Sequence, residues 1–150
     1  PKRSISCKCL KVLNNLRPFH LAIPVSNINK SKTFYIDLLG CNIGRYSETW
    51  LDLDFFGHQL VLHESKVVNK IITNDVDLHK VPVPHFGVIL NWDDWHSLSK
   101  NIKSKIPFII EPHIRFKNQV GEQATMFFLD PDQNAIEFKA FKNDSQIFEN

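Results

Sequence analysis

The spacing of apolar positions changes several times along the chain, and the changes come in the same order twice. Residues 19–25, Phe19-His20-Leu21-Ala22-Ile23-Pro24-Val25, form a short apolar run that reads as a buried strand. Ser26 and Asn27 then offer helix-capping side chains, and Phe34, Tyr35, Leu38 and Leu39 recur at helical spacing as far as Gly40, a residue suited to the positive φ that ends a helix. Strands are expected next at residues 41–45, 49–55 and 59–63. Trp50-Leu51-Asp52-Leu53-Asp54-Phe55 alternates, and Gly57 supplies the following turn. Residues 65–82 are polar and weakly patterned, as expected of a connector. The order then recurs. A strand is expected over 84–90, Asn91 caps a helix reaching about residue 104 with Trp92, Trp95, Leu98 and Ile102 as its stripe, and strands follow at 108–114, 123–129 and 135–141. Asp130-Pro131-Asp132-Gln133-Asn134 is a strong turn signal between the last two. The predicted class is α+β, with two tandem βαβββ modules forming a curled mixed sheet.

Composition narrows this without redirecting it. The 150 residues suffice for one domain with a proper core, and 23% charged with 43% hydrophobic residues is ordinary for a globular chain. The expected organisation is a basic arm over 1–16, one domain over 17–142 and a tail over 143–150. Within the domain, module one spans 17–65, a linker 66–82 and module two 83–142. A net charge of +2, on scattered lysines, gives no footprint for a nucleic-acid partner. No apolar run approaches the roughly 18 residues of a membrane span, so no membrane partner is expected. Three cysteines are an odd number, and Cys7-Lys8-Cys9 is too close for an easy disulfide; a reducing, cytoplasmic location is expected. The acid-free arm suggests an organelle-targeting remnant as the alternative. A zinc knuckle at Cys7 and Cys9 would lack ligands.

Candidate chemistry lies in the repeat. His20 and His85 each open an apolar strand, with a small residue, Ala22 or Gly87, two positions on. Repeated strands related by pseudo-symmetry can aim both imidazoles at one point. Glu137, in Ala135-Ile136-Glu137-Phe138-Lys139, is the best carboxylate to join them. Strand alternation puts Ala135 and Lys139 on its face, with Ile136 and Phe138 packing on the other side. Two imidazoles and a carboxylate with open positions match non-haem Fe(II) oxygenase sites. Taken singly, each histidine is a solvated strand-end residue and Glu137 an outward acid; the agreement of three strands favours a metal triad. His113 and Arg115, two apart on one strand, would hold an anionic group, or else form an exposed charged strand end. Trp50 and Tyr46 are candidates for an aromatic wall.

Four phrases together carry a family resemblance. They are the strand Phe19-His20-Leu21-Ala22-Ile23-Pro24-Val25, the helix Ser31-Lys32-Thr33-Phe34-Tyr35-Ile36-Asp37-Leu38-Leu39-Gly40, His85-Phe86-Gly87-Val88, and the closing Phe128-Leu129-Asp130-Pro131-Asp132-Gln133-Asn134-Ala135-Ile136-Glu137-Phe138. The chain resembles the vicinal-oxygen-chelate superfamily, which includes glyoxalase I, extradiol dioxygenases, fosfomycin-resistance enzymes and bleomycin-resistance proteins. The resemblance implies a cup around a divalent ion held by His20, His85 and Glu137. Fe(II) is favoured, with Mn(II), Zn(II) or Ni(II) as alternatives. Glyoxalase-type members add a fourth protein ligand on the last strand of the first half. Aligning the two halves puts Val61 there, which cannot coordinate, whereas a shift of two would substitute Gln59 or His63. His63 is read instead as a pocket acid/base or a group bonded to the ligands. The expected activity is that of an extradiol-dioxygenase-like enzyme acting on an anionic or catecholic small molecule. A metal-free binder of the bleomycin-resistance type and a glyoxalase-like isomerase or lyase are the alternatives. A homodimer is implied, in some members with exchanged halves, so that His20 and the His85/Glu137 pair would come from different chains.

Overall fold

The computed structural model describes residues 16–66, 70–76 and 78–149. Most of the basic arm, with Cys7 and Cys9, lies outside the described residues. The first half runs β1 (His20–Val25), α1 (Ile28–Lys32) widening into a π-helical stretch over Thr33–Leu38, β2 (Asn42–Tyr46), β3 (Trp50–Phe55) and β4 (His58–Glu64). Asn27 caps α1, its side-chain oxygen accepting from the Lys30 amide at 2.9 Å. The widened turn shows in the Leu39 amide donating to the Phe34 carbonyl at 3.1 Å, and Gly40, at φ 77°, ends the helix. The sheet order is β1-β4-β3-β2, with β1 parallel to β4 and the other pairs antiparallel.

The connector carries more structure than its composition suggests. β5 (Ile72–Val76) and β6 (His79–Val83) pair as an antiparallel hairpin. Both strands are exposed along most of their length. A strand that buries neither face needs no clean hydrophobic alternation, and this is why its pattern is weak. The second half continues with β7 (Ile89–Leu90), α2 (Trp92–Ile102), β8 (Phe108–Arg115), β9 (Gln123–Leu129) and β10 (Ala135–Phe141), ordered β7-β10-β9-β8. The strand expected over 84–90 is thus much shorter. Pro84 has no amide to donate, and upstream of β7 the pairing is a single bridge, Phe86 to Ile136. The chain still runs alongside β10, with the Glu137 amide donating to the Phe86 carbonyl at 2.8 Å and that of Lys139 to Val88 at 3.2 Å.

One face of each sheet faces a common core. Leu51, Leu53, Leu60 and Leu62 from the first sheet meet Met126, Phe128, Ile136 and Phe138 from the second, with Phe34, Tyr35 and Trp95 from the helical segments. Contacts cross the halves: the Phe34 ring lies 6.2 Å from Phe128 and the Phe55 ring 5.7 Å from Phe138. The Tyr35 hydroxyl donates to Asp130 at 2.8 Å, and Asn134 to the Pro24 carbonyl at 3.0 Å. With the apolar faces joined, the polar faces of both sheets are left for chemistry. Among the described residues, no helix is long and apolar enough to cross a membrane.

Candidate metal site

Alternation along β10 sends Ile136, Phe138 and Ala140 into the core and leaves Glu137 and Lys139 on the opposite face. Glu137 is only 8% exposed there, and a carboxylate so buried needs partners. The Thr125 hydroxyl, from β9, donates to Oε1 at 2.6 Å, and Lys139 Nζ lies 3.5 Å from the same oxygen. His85 Nε2 sits 3.1 Å from Oε2. On its other side, His85 Nδ1 lies 2.7 Å from the Pro82 carbonyl. A carbonyl can only accept, so Nδ1 carries the proton and the Nε2 side turns toward the carboxylate. Phe127 meets the imidazole edge-on, with centroids 5.1 Å apart.

These contacts set the charges. The hydrogen bond with Glu137 raises the His85 pKa above its ordinary value; burial opposes this, and the Pro82 carbonyl and the Glu137 charge add to it. Burial alone would push the Glu137 carboxyl upward. Hydrogen bonds from His85 and Thr125 and the charge of Lys139 outweigh it and hold the carboxyl below its ordinary range. In the chain alone each group thus favours the charged form of the other.

The first sheet carries a second constellation. His20 pairs with Gln59 across β1 and β4, and Val61 pairs with Ala22 and Asp52. His20 Nδ1 lies 2.7 Å from Gln59 Oε1, and Gln59 Nε2 donates to Asp52 Oδ2 at 3.3 Å. Arg45 approaches the same carboxylate oxygen at 3.4 Å. Together they line an open cavity of about 620 Å³ with Arg17 and His58.

The structure therefore brings His85 and Glu137 together and puts His20 with Gln59 and Asp52. Among the described residues of one chain, no three histidine, cysteine or acidic side chains converge on a point where an ion would sit. The repeat register aligns as the sequence suggests: Gly87 abuts Glu137 as Ala22 faces Val61, so Val61 occupies the first-half counterpart of Glu137. Gln59 faces His20 itself, and His63 is exposed, opposite Pro24 and Trp50. His113 and Arg115 lie opposite Thr125 and Gln123, on the Glu137 side of the second sheet. His113 Nδ1 bonds the Glu111 carbonyl at 2.8 Å, its ring rests 5.1 Å from that of His79 on β6, and Arg115 lies over the Phe116 ring. Trp50 shares the His20 face, but Tyr46 does not; it pairs with Leu51, a core residue, and holds Lys32 over its ring at 5.3 Å. His58 accepts the Phe19 amide on Nδ1 at 3.0 Å. Sequence reasoning did not single out Asp52, which is buried; Gln123 is buried as well, with a side-chain carbonyl oxygen that has no partner among the described residues. For Asp52 the signal was present, since an acid at the centre of an alternating strand shares its face with Trp50 and Asp54.

The sequence profile of the "Glyoxalase/Bleomycin resistance protein/Dioxygenase superfamily" matches residues 17–138. The chain belongs to this superfamily. Among solved structures, a glyoxalase/bleomycin resistance protein/dioxygenase from Alicyclobacillus acidocaldarius is 32% identical, with a TM-score of 0.74, covering 91% of this chain and all of its own. The genomically encoded fosfomycin resistance protein FosX from Listeria monocytogenes is similar in fold at 14% identity and a TM-score of 0.61, covering 90% of this chain and 99% of its own. A lactoylglutathione lyase from Agrobacterium tumefaciens, also 14% identical, gives a TM-score of 0.57, covering 87% of this chain and 96% of its own. A comparison with curated protein sequences returned no match. The α+β fold of curled sheet modules is thus the superfamily's, and neighbours named for different activities share it, so activity must be argued from side chains.

Proposed function

We propose that the protein is a divalent-metal-dependent enzyme of the extradiol-dioxygenase type, acting as a homodimer in which His20 of one copy meets the His85–Glu137 pair of another. The observation that carries this reading is the pair itself: an imidazole whose Nδ1 is committed to the Pro82 carbonyl, with Nε2 3.1 Å from a buried, Thr125-braced carboxylate. A histidine fixed through its far nitrogen and a carboxylate fixed by a hydroxyl are what a metal ligand needs from its surroundings. The donor set suits Fe(II) or Mn(II), and Val61 in place of a fourth acid favours three protein ligands with positions left for substrate. His20, on an open sheet face beside a Phe19 that is 65% exposed, is available to a second copy.

The bound ion would supply Lewis acidity to two neighbouring oxygens of the substrate. The chain's own groups do the rest. His85, through Nε2 once that nitrogen has lost its proton, and Glu137 would hold the ion, and Lys139, 3.5 Å from Oε1, favours the charged carboxylate. His113 and Arg115 would orient an anionic group of a catechol-like substrate, and His63 would serve as a proton-transfer group at the rim of the His20 face.

Anaerobic purification with elemental analysis tests the proposal. Stoichiometric Fe(II) or Mn(II) is expected in wild type and loss of it in His85→Ala, Glu137→Ala and His20→Ala. Wild type that stays metal-free after reconstitution would instead support a metal-free small-molecule binder. Metal without oxygen uptake on a panel of catechols would remove the dioxygenase assignment.

A further inference from the structure

The two histidines are held by different devices, and the difference identifies a positioning role for residues outside the triad. His85 gives Nδ1–H to a backbone carbonyl, which cannot rotate or exchange donor for acceptor. His20 leans on a side-chain amide, Gln59, whose two ends are nearly the same size and have opposite hydrogen-bonding character. Left to itself, that amide would turn either way. With its oxygen toward His20 it demands a proton on Nδ1; with its nitrogen there it would force the proton onto Nε2 and blunt that nitrogen as a ligand. Asp52 removes the choice. Its carboxylate, 8% exposed and approached by Arg45, accepts only, so the Gln59 nitrogen must face it and the oxygen must face His20.

We propose that Asp52 and Gln59 form a positioning relay that locks His20 in the Nδ1–H tautomer and presents the Nε2 lone pair outward. Asp52 and Gln59 touch neither ion nor substrate in this scheme and act through His20. The relay rests on the metalloenzyme reading for its purpose, but its geometry stands without a metal.

Long-range ¹⁵N–¹H spectra of the metal-free protein at alkaline pH, where imidazoles are neutral, read the tautomer directly. Wild-type His20 is expected in the Nδ1–H form. In Asp52→Asn the new amide can donate as well as accept, Gln59 is free to turn, and His20 should become a tautomer mixture; affinity for Mn(II) should fall about 10- to 100-fold. The exchanged double variant Asp52→Asn/Gln59→Glu restores the polarity, since the introduced amide donates to a carboxylate that can only accept from Nδ1–H. It should recover the single tautomer and most of the affinity, a rescue that a merely structural role would not give. His85, held by backbone, is the internal control and should not change. If the single Asp52 variant does not fold, Gln59→Leu, which removes the acceptor, carries the same expectation. A wild-type His20 with Nε2–H or mixed tautomers, or an Asp52→Asn protein as uniform as wild type, overturns the relay. Wild type with the expected tautomer that nevertheless binds no metal overturns the metalloenzyme reading and leaves the relay standing.

Discussion

Gly87 is, in the sequence, the small residue two positions after His85. In the structure its side-chain space is taken by backbone: a methyl group on Gly87 would overlap the Glu137 carbonyl. The position needs glycine because two chain segments pass close together, not because a ligand is to be admitted. Gly87→Ala must therefore push β10 away from residues 86–88 and separate His85 from Glu137. A loss of about 2–3 kcal/mol or more is expected in urea denaturation, with metal content falling in parallel. Ala22→Gly, at the counterpart position in the first half, should leave metal content unchanged. Equal damage from both would show that Gly87 has no special contact. Asp52 is the converse, an acid that alternation marks as facing away from the core and that is buried all the same. Its burial comes from packing across β2 and β4, which a single strand's pattern does not contain.

Elements were legible wherever one face is buried. β9 and β10 fall where the apolar spacing puts them, because their inner faces meet the core along their whole length. The β5–β6 hairpin was missed because it buries almost nothing, and the π-helical stretch because widening a helix by one residue leaves little trace in spacing. What joins the elements across the halves is a polar knot. Asp130 accepts from the amides of Asp132 and Asn134, from the Asn134 side chain and from the Tyr35 hydroxyl, each at 2.8 Å. Burial nonetheless raises the Asp130 pKa above its ordinary value, the hydrogen bonds offsetting only part of that cost. The sign follows. The folded state takes up the proton more readily than the unfolded one, so stability is greater when Asp130 is protonated. It declines as pH rises from the unfolded value of about 3.9 through the folded one. Tyr35 bonds the charged form more strongly than the acid. Tyr35→Phe should thus cost about 1.5–3 kcal/mol at neutral pH and clearly less once Asp130 is protonated. Denaturation of both proteins across the acid range checks this. A cost independent of pH would mean that the hydroxyl serves only packing.

At the scale of the whole molecule, the superfamily was readable from four phrases, but whether His20 joins His85 and Glu137 was not. Periodicity says which face a side chain takes; it does not say which copy of the chain supplies the opposing face. Here the two apolar faces are joined within one chain, and His20 and the His85–Glu137 pair lie on polar faces that no single chain closes around an ion among the described residues. A shared site makes a quantitative prediction by complementation. His20→Ala and Glu137→Ala homodimers would each lack a complete triad. Unfolded together and refolded as an equal mixture, they should give half heterodimers, in each of which one site is wholly wild type and the other carries both changes. Metal content should then recover to about a quarter of wild type, on a species isolable by two different affinity tags. No recovery in a verified heterodimer would place all the ligands of any metal in one chain, where the described side chains do not converge, and the shared-site reading would fall with it.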